Sequence, residues 1–202
     1  HAFVETVKSG YTTTVACTNG SSGTNLLNIT LKPGDNVTCT FTATAQAATL
    51  TIVKLIDGVA PDSAWQFSGP SGAFTLPAIG GTQHFTPTAG SYTISEASKN
   101  GYTVHTTCSN NASGNNSVTV NLKPGENVTC TFTATDRPGT LIINTTVVGA
   151  APADSWAFAG PSGAFTIPAA GGAQTFSLPA GSYSVAETLK NGYSIAATCT
   201  DG

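Results

Sequence analysis

Charge is scarce in this chain: 7 Lys+Arg stand against 10 Asp+Glu, for a net charge of −3. A nucleic-acid partner demands a basic stripe that neutralises phosphates, and no such stripe exists here. No run of about 18 apolar residues occurs, so no segment reads as a membrane-spanning helix. A cleavable signal peptide is also absent, and is expected to have been removed or to lie outside this stretch. Cysteine is limited to 5 residues and never forms a CxxC pattern, and none of the 3 histidines recurs beside the cysteines. The spacings of a zinc site are therefore missing. No segment carries a helical apolar stripe either; alternation at strand period runs nearly everywhere.

What the chain has is a period. Shifted by 91 residues it aligns with itself without a gap: Trp65 meets Trp156, Gly101 meets Gly10 and Gly192, and Cys130 meets Cys39. The segment GPSGAFT recurs unchanged at Gly69–Thr75 and Gly160–Thr166. A fixed period denotes an array of similar units. The 202 residues amount to two periods and 20 more, so three blocks are expected. Residues 1–46 are the rear half of one unit, residues 47–136 a complete unit, and residues 137–202 the front two-thirds of another. The ragged ends fit a window of a longer array, or subunits whose open ends complete one another. Linkers ATAQAAT (Ala43–Thr49) and ATDRPGT (Ala134–Thr140) are too short for a flexible coil, and Pro138 stiffens the second. Successive units are expected to line up as a semi-rigid rod.

The cysteines follow the same register. Cys17 and Cys39 are 22 apart, as are Cys108 and Cys130, while Cys199 would need a partner at position 221. One disulfide per unit is expected, and with it an oxidising, extracellular compartment. Each bridge should contribute roughly 3 kcal/mol by closing its loop. N-x-[ST] sequons at Asn19, Asn28, Asn36, Asn111, Asn115, Asn127 and Asn144 permit glycosylation.

In the complete unit, strands are expected near Thr49–Asp57, Ala64–Ser68, Ala73–Pro77, Thr82–Thr86, Ser91–Ala97, Tyr102–Cys108, Ser117–Leu122 and Asn127–Thr135. Parity puts Leu50, Ile52, Lys54 and Ile56 on one face, and both cysteines of the pair point inward. Val118, Val120 and Leu122 face Val128, Cys130 and Phe132 across KPGEN, whose Pro-Gly pair favours a type II turn. Short strands at this spacing indicate an all-β chain of tandem antiparallel β-sandwich domains, Ig-like in architecture, with the 91-residue period.

Three stretches carry a family likeness: TLTIVK (Thr49–Lys54), SYTISEASKNGY (Ser91–Tyr102) and VTCTFTAT (Val128–Thr135). The next copy reads TLIINT and SYSVAETLKNGY. With G-x-Y-x-[IV]-x-E followed by Gly-Tyr, the unit resembles the prealbumin-like repeats of bacterial surface proteins, the collagen-adhesin B-type and SpaA-type pilin domains. The resemblance implies an intramolecular Lys–Asn isopeptide bond promoted by an acid. Lys54 sits at the lysine position and Glu96 at the acidic one, matched by Glu5 and Glu187. The acceptor Asn is missing, since Ala43 and Ala134 stand in its place, and Thr145 replaces the lysine in the next copy. No isopeptide bond is expected, and the cysteine pair is expected to take over as the lock.

Catalysis has little to work with. The recurring glutamates lack a companion His or second carboxylate, and are read as structural, Glu96 pairing with Lys54. Lys8, Lys99 and Lys190 are read as exposed charges within reach of the nearby glutamate. His1 lacks a second His for copper, and Asp57, Asp62 and Asp154 offer too few oxygens for calcium. The expected role is therefore non-enzymatic, without cofactor or metal. The leading reading is a segment of an extracellular fibre, pilus-like filament, stalk or adhesin whose partners are neighbouring repeats, copies of itself or a surface ligand. The alternative is a carbohydrate- or ligand-binding module, which exposed aromatics at equivalent loop positions would favour.

Overall fold

The computed structural model describes residues 1–200, which contain strands and no helix. The chain divides into two compact units, His1–Asp136 and Arg137–Gly202.

In the first unit, β1 (Ala2–Val4) pairs with β4 (Leu26–Asn28), while β2 (Tyr11–Cys17) is flanked by β3 (Ser22–Gly23) and β5 (Cys39–Ala45). The rest of that unit is a two-layer sandwich. Its strands are β6 (Thr49–Asp57), β7 (Trp65–Gly69), β8 (Gly72–Leu76), β9 (Gly81–Phe85) and β10 (Gly90–Glu96). They continue with β11 (Tyr102–Cys108), β12 (Ser113–Gly114), β13 (Ser117–Leu122) and β14 (Asn127–Asp136). One sheet has the order β13-β10-β7-β8 and the other β12-β11-β14-β6-β9. The inward parity of both sheets supplies the core, in which Leu50, Ile52, Trp65, Ile94, Val120 and Phe132 are fully buried. Burying each such side chain contributes about 1.5–3 kcal/mol.

Two connections set the topology of this sandwich. First, β6 and β14 pair in parallel, from Asn127↔Thr49 to Thr135↔Asp57. Parallel neighbours must be joined by a crossover; here the whole domain is that crossover, so the chain enters and leaves at opposite ends of one sheet. Second, the Lys123–Glu126 turn joins strands of opposite sheets and is not a hairpin. Glu126 N–H donates to Lys123 O at 3.1 Å, and Gly125 takes φ +67°, as a type II turn requires at that position. GPSGAFT folds as the β7–β8 hairpin, with Gly69 opposite Gly72, and Phe74 stacks on Phe67 at 5.1 Å.

In the second unit, β15 (Gly139–Thr145) pairs with β18 (Gly172–Leu178). There β16 (Trp156–Gly160) lies between β17 (Gly163–Ile167) and β19 (Ala186–Glu187). Its small core gathers Trp156, Phe158 and Ile167.

Candidate functional site

The most unusual chemistry in the molecule is an ion pair inside the core. Lys54 extends inward from β6 and Glu96 from the last position of β10, so each sheet supplies one charge. Alternation places them there: Lys54 shares the parity of Leu50 and Ile52, and Glu96 that of Ile94. Their exposures are 1% and 3%. Lys54 Nζ donates to Glu96 Oε2 at 3.0 Å and stands 2.9 Å from Oε1 at an angle that makes no hydrogen bond. The ammonium also lies 4.0 Å from the centroid of the Trp65 ring, whose negative face attracts cations. Burial pulls Lys54 below its ordinary 10.5 and pushes the Glu96 carboxyl above its ordinary 4.5. Their mutual hydrogen bond and attraction oppose both shifts.

The Lys54 nitrogen could act as a nucleophile, and Ala134 on β14, where the resemblance leads one to expect the acceptor, is fully buried and offers only a methyl group. Glu5 and Glu187 occupy the matching register, with Glu187 opposite Phe158 as Glu96 is opposite Phe67. Both are half-buried, and one oxygen of Glu5 is buried without a hydrogen bond.

The lysines of the Gly-Tyr turn behave differently from the sequence reading. Lys99 does not bond Glu96. It is half-buried, lies 5.1 Å from the Trp65 centroid, and donates to Ser63 O at 3.0 Å, Ser63 Oγ at 2.7 Å and Ala64 O at 3.2 Å. Its cause is the loop before β7, which presents carbonyl oxygens nearer than the carboxylate. Lys190 does the same in the second unit, donating to Asp154 O at 3.0 Å. Lys8 is exposed.

These contacts belong to a latch that sequence reasoning missed. Tyr102 sets its ring edge-on to Trp65 at 5.2 Å and donates its hydroxyl to Val59 O at 2.7 Å. Trp65 Nε1–H donates to Ala78 O at 3.0 Å. Tyr193, Trp156 and Ala150 repeat the arrangement at 5.0 Å and 2.7 Å, with Trp156 Nε1–H on Ala169 O at 3.1 Å. The signal was available in the joint recurrence of Lys-Asn-Gly-Tyr and the Trp-preceding loop.

Cys108 and Cys130 stand directly opposite each other on β11 and β14 and are bonded, with Cα atoms 4.0 Å apart. Cys17 and Cys39 are bonded in the same way between β2 and β5, also at 4.0 Å. Such short spacing belongs to the non-hydrogen-bonded pairs of an antiparallel ladder. Cys199 is an exposed free thiol. The sequon residues Asn19, Asn28, Asn36, Asn111, Asn115, Asn127 and Asn144 are all exposed. Among the described residues no three His, Cys, Asp or Glu side chains converge as metal ligands.

Two family profiles match this chain. Residues 45–132 match one SpaA-type prealbumin-like fold domain and residues 4–45 match another. The chain belongs to the prealbumin-like domain family. Among solved structures, the TIE protein of Bacillus anthracis aligns at 17% identity and a TM-score of 0.45, over 93% of this chain and 44% of that one. This prealbumin-like chain thus spans less than half the length of that protein. A Mobiluncus mulieris adhesin containing intramolecular disulfide, isopeptide and ester cross-links aligns at 13% identity and a TM-score of 0.37, covering 64% of this chain and 86% of its own. The major pilin of Streptococcus pyogenes aligns at 14% identity and 0.31, covering 60% and 64%. No curated protein matches.

Proposed function

We propose that the chain is a load-bearing segment of an extracellular fibre, pilus-like filament, stalk or adhesin. It is built of disulfide-locked repeats: residues 1–46 the rear of one, residues 47–136 a whole one, and residues 137–202 the front of another. It carries out no chemistry, and its partners are neighbouring repeats or copies of itself. The parallel β6–β14 pairing carries this reading. Because the chain enters the sandwich on β6 and leaves on β14, tension along an array pulls these neighbours past one another. The ladder hydrogen bonds from Thr49 to Asp57 are then loaded together in shear, and cannot be unzipped singly. Behind them the Cys108–Cys130 bond ties β14 to β11, so the intervening segment stays closed after the ladder breaks.

Membership of the prealbumin-like family and an oxidised cysteine pair support an extracellular setting. Ala134 leaves Lys54 without an amide to condense with, so the disulfide serves as the unit's covalent clamp. The repeated tryptophans, at 0% and 4% exposure, are core residues and give a carbohydrate ligand no stacking platform.

Single-molecule stretching of the full chain tests this reading. The Cys108–Cys130 separation of 22 residues withholds about 70 Å of extended chain, at roughly 3.3 Å per residue. The Cys108→Ala/Cys130→Ala variant is expected to lengthen one unfolding step by that amount while keeping a high-force rupture. A parent that extends at low force, without a distinct rupture of the complete unit, would sink the load-bearing role.

A further inference from the structure

Two kinds of tight turn recur along this chain, and in one place they touch. The first kind reads Lys-x-Gly-Tyr: Tyr11 N–H donates to Lys8 O at 3.1 Å, and Tyr102 and Tyr193 do the same to Lys99 and Lys190, each at 3.2 Å. Gly10, Gly101 and Gly192 hold φ of +82°, +82° and +83°. The second kind reads Lys-Pro-Gly-acid. Asp35 N–H donates to Lys32 O at 3.1 Å while the Asp35 carboxylate accepts from Lys32 N–H at 2.7 Å. Glu126 repeats both contacts on Lys123 at 3.1 Å and 2.8 Å.

Within the first unit, the Gly10 turn is seated against Pro124 and Gly125. A Cβ on Gly10 would overlap the Pro124 carbonyl oxygen. From the other side, a Cβ on Gly125 would come within 3.0 Å of Gly10 Cα and 3.1 Å of Gln46 Oε1. Gln46, in the junction between β5 and β6, bridges the turns through its backbone. Its N–H donates to Gly10 O at 2.8 Å, and its carbonyl accepts from Gly125 N–H at 3.1 Å. Thr49 N–H adds a bond to Glu126 O at 2.8 Å. By contrast, a Cβ at Gly101, Gly192 or Gly34 would meet nothing within 4 Å. Positive φ alone accounts for glycine at those positions; at Gly10 close approach is a second, separate requirement.

We propose that the Lys-x-Gly-Tyr turn is a docking seat whose partner is the Lys-Pro-Gly-acid turn of the repeat that follows it. The seat locks the angle between residues 1–46 and residues 47–136, with Gln46 as its backbone hinge pin. The inference rests on this contact and stands whether or not the array bears load.

Asparagine separates the two requirements, because it tolerates left-handed backbone, as Asn111 does in this protein at φ +67°. Gly10→Asn keeps the turn and fills the seat, Gly101→Asn makes the same change at an open seat, and Gly125→Asn alters the inserted turn while leaving residues 1–46 untouched. In NMR spectra of the full chain, Gly10→Asn and Gly125→Asn are expected to speed amide exchange at Gln46, and Gly10→Asn also at Gly125, by about 10-fold or more. Dipolar couplings of residues 11–45 and 49–136, which fit a common alignment tensor in the parent, are expected to need two. Gly101→Asn should do neither. The proposal is overturned if both seat variants keep the parent's exchange rates and common tensor, or if Gly101→Asn loosens the junction equally.

Discussion

Replacing Lys54 by methionine isolates what the buried charge does. The substitution keeps the length and apolar stem of the side chain and deletes the ammonium, leaving Glu96 at 3% exposure without its hydrogen-bond donor. Removing one partner of a buried pair costs about 3–5 kcal/mol, because the other charge is stranded. Removing both is often neutral or stabilising by about 1–4 kcal/mol, because the desolvation of two ions disappears with them. The expected series at pH 7 is therefore a large loss for Lys54→Met, a comparable loss for Glu96→Leu, and near-parent stability for the double variant. Urea unfolding followed by Trp65 fluorescence, in a Trp156→Phe background, reads this for the complete sandwich alone. The Lys54→Met loss should also shrink on acidification, by about 1.4 kcal/mol per pH unit, from the pH at which the isolated carboxyl takes up its proton down to the lower pH at which the paired carboxyl of the parent does so. Additive losses in the double variant, or a single loss that ignores pH, would refute the argument that desolvation governs the pair.

In the parent, Glu96 titrates above 4.5 when folded because burial disfavours its anion. Between 4.5 and that raised value the folded state holds a proton the unfolded state has released, so this group's contribution is fully present below 4.5 and is lost as pH rises through the folded value. The unfolding free energy of parent minus Lys54→Met/Glu96→Leu, followed by urea titration from acid to neutral pH, should accordingly fall. Cys108→Ala/Cys130→Ala should destabilise the complete unit by about 3 kcal/mol at equilibrium, measured by the same fluorescence. Tyr102→Phe keeps the ring against Trp65 and deletes one hydrogen bond to Val59 O; about 1 kcal/mol should be lost, with Tyr193→Phe leaving the Trp65 transition unchanged.

Much of the strand inventory can be read from alternation. Each strand expected between Thr49 and Thr135 has its counterpart from β6 to β14, with ends differing by a residue or two; only the two-residue β12 went unread. Faces were equally legible: Leu50, Ile52, Lys54, Val120 and Phe132 all point into the core. The glutamate positions stood out because each copy keeps one. The latch did not, because its members lie 36 and 43 residues apart and end on carbonyl oxygens, which every residue type supplies.

The linear chain alone carries the repeat length, the β class, the inward parity of each strand and the candidacy of Lys54 and Glu96 for the interior. These are local properties: side chains alternate with a period of two whatever the neighbouring strand is. Which strands become neighbours is another matter, because backbone pairing is blind to residue identity along most of a ladder. The parallel union of β6 with β14, the passage of the Lys123–Glu126 turn between sheets, the route of Lys99 to Ser63, and the seating of Gly10 on Pro124 all arise from packing across long sequence separations.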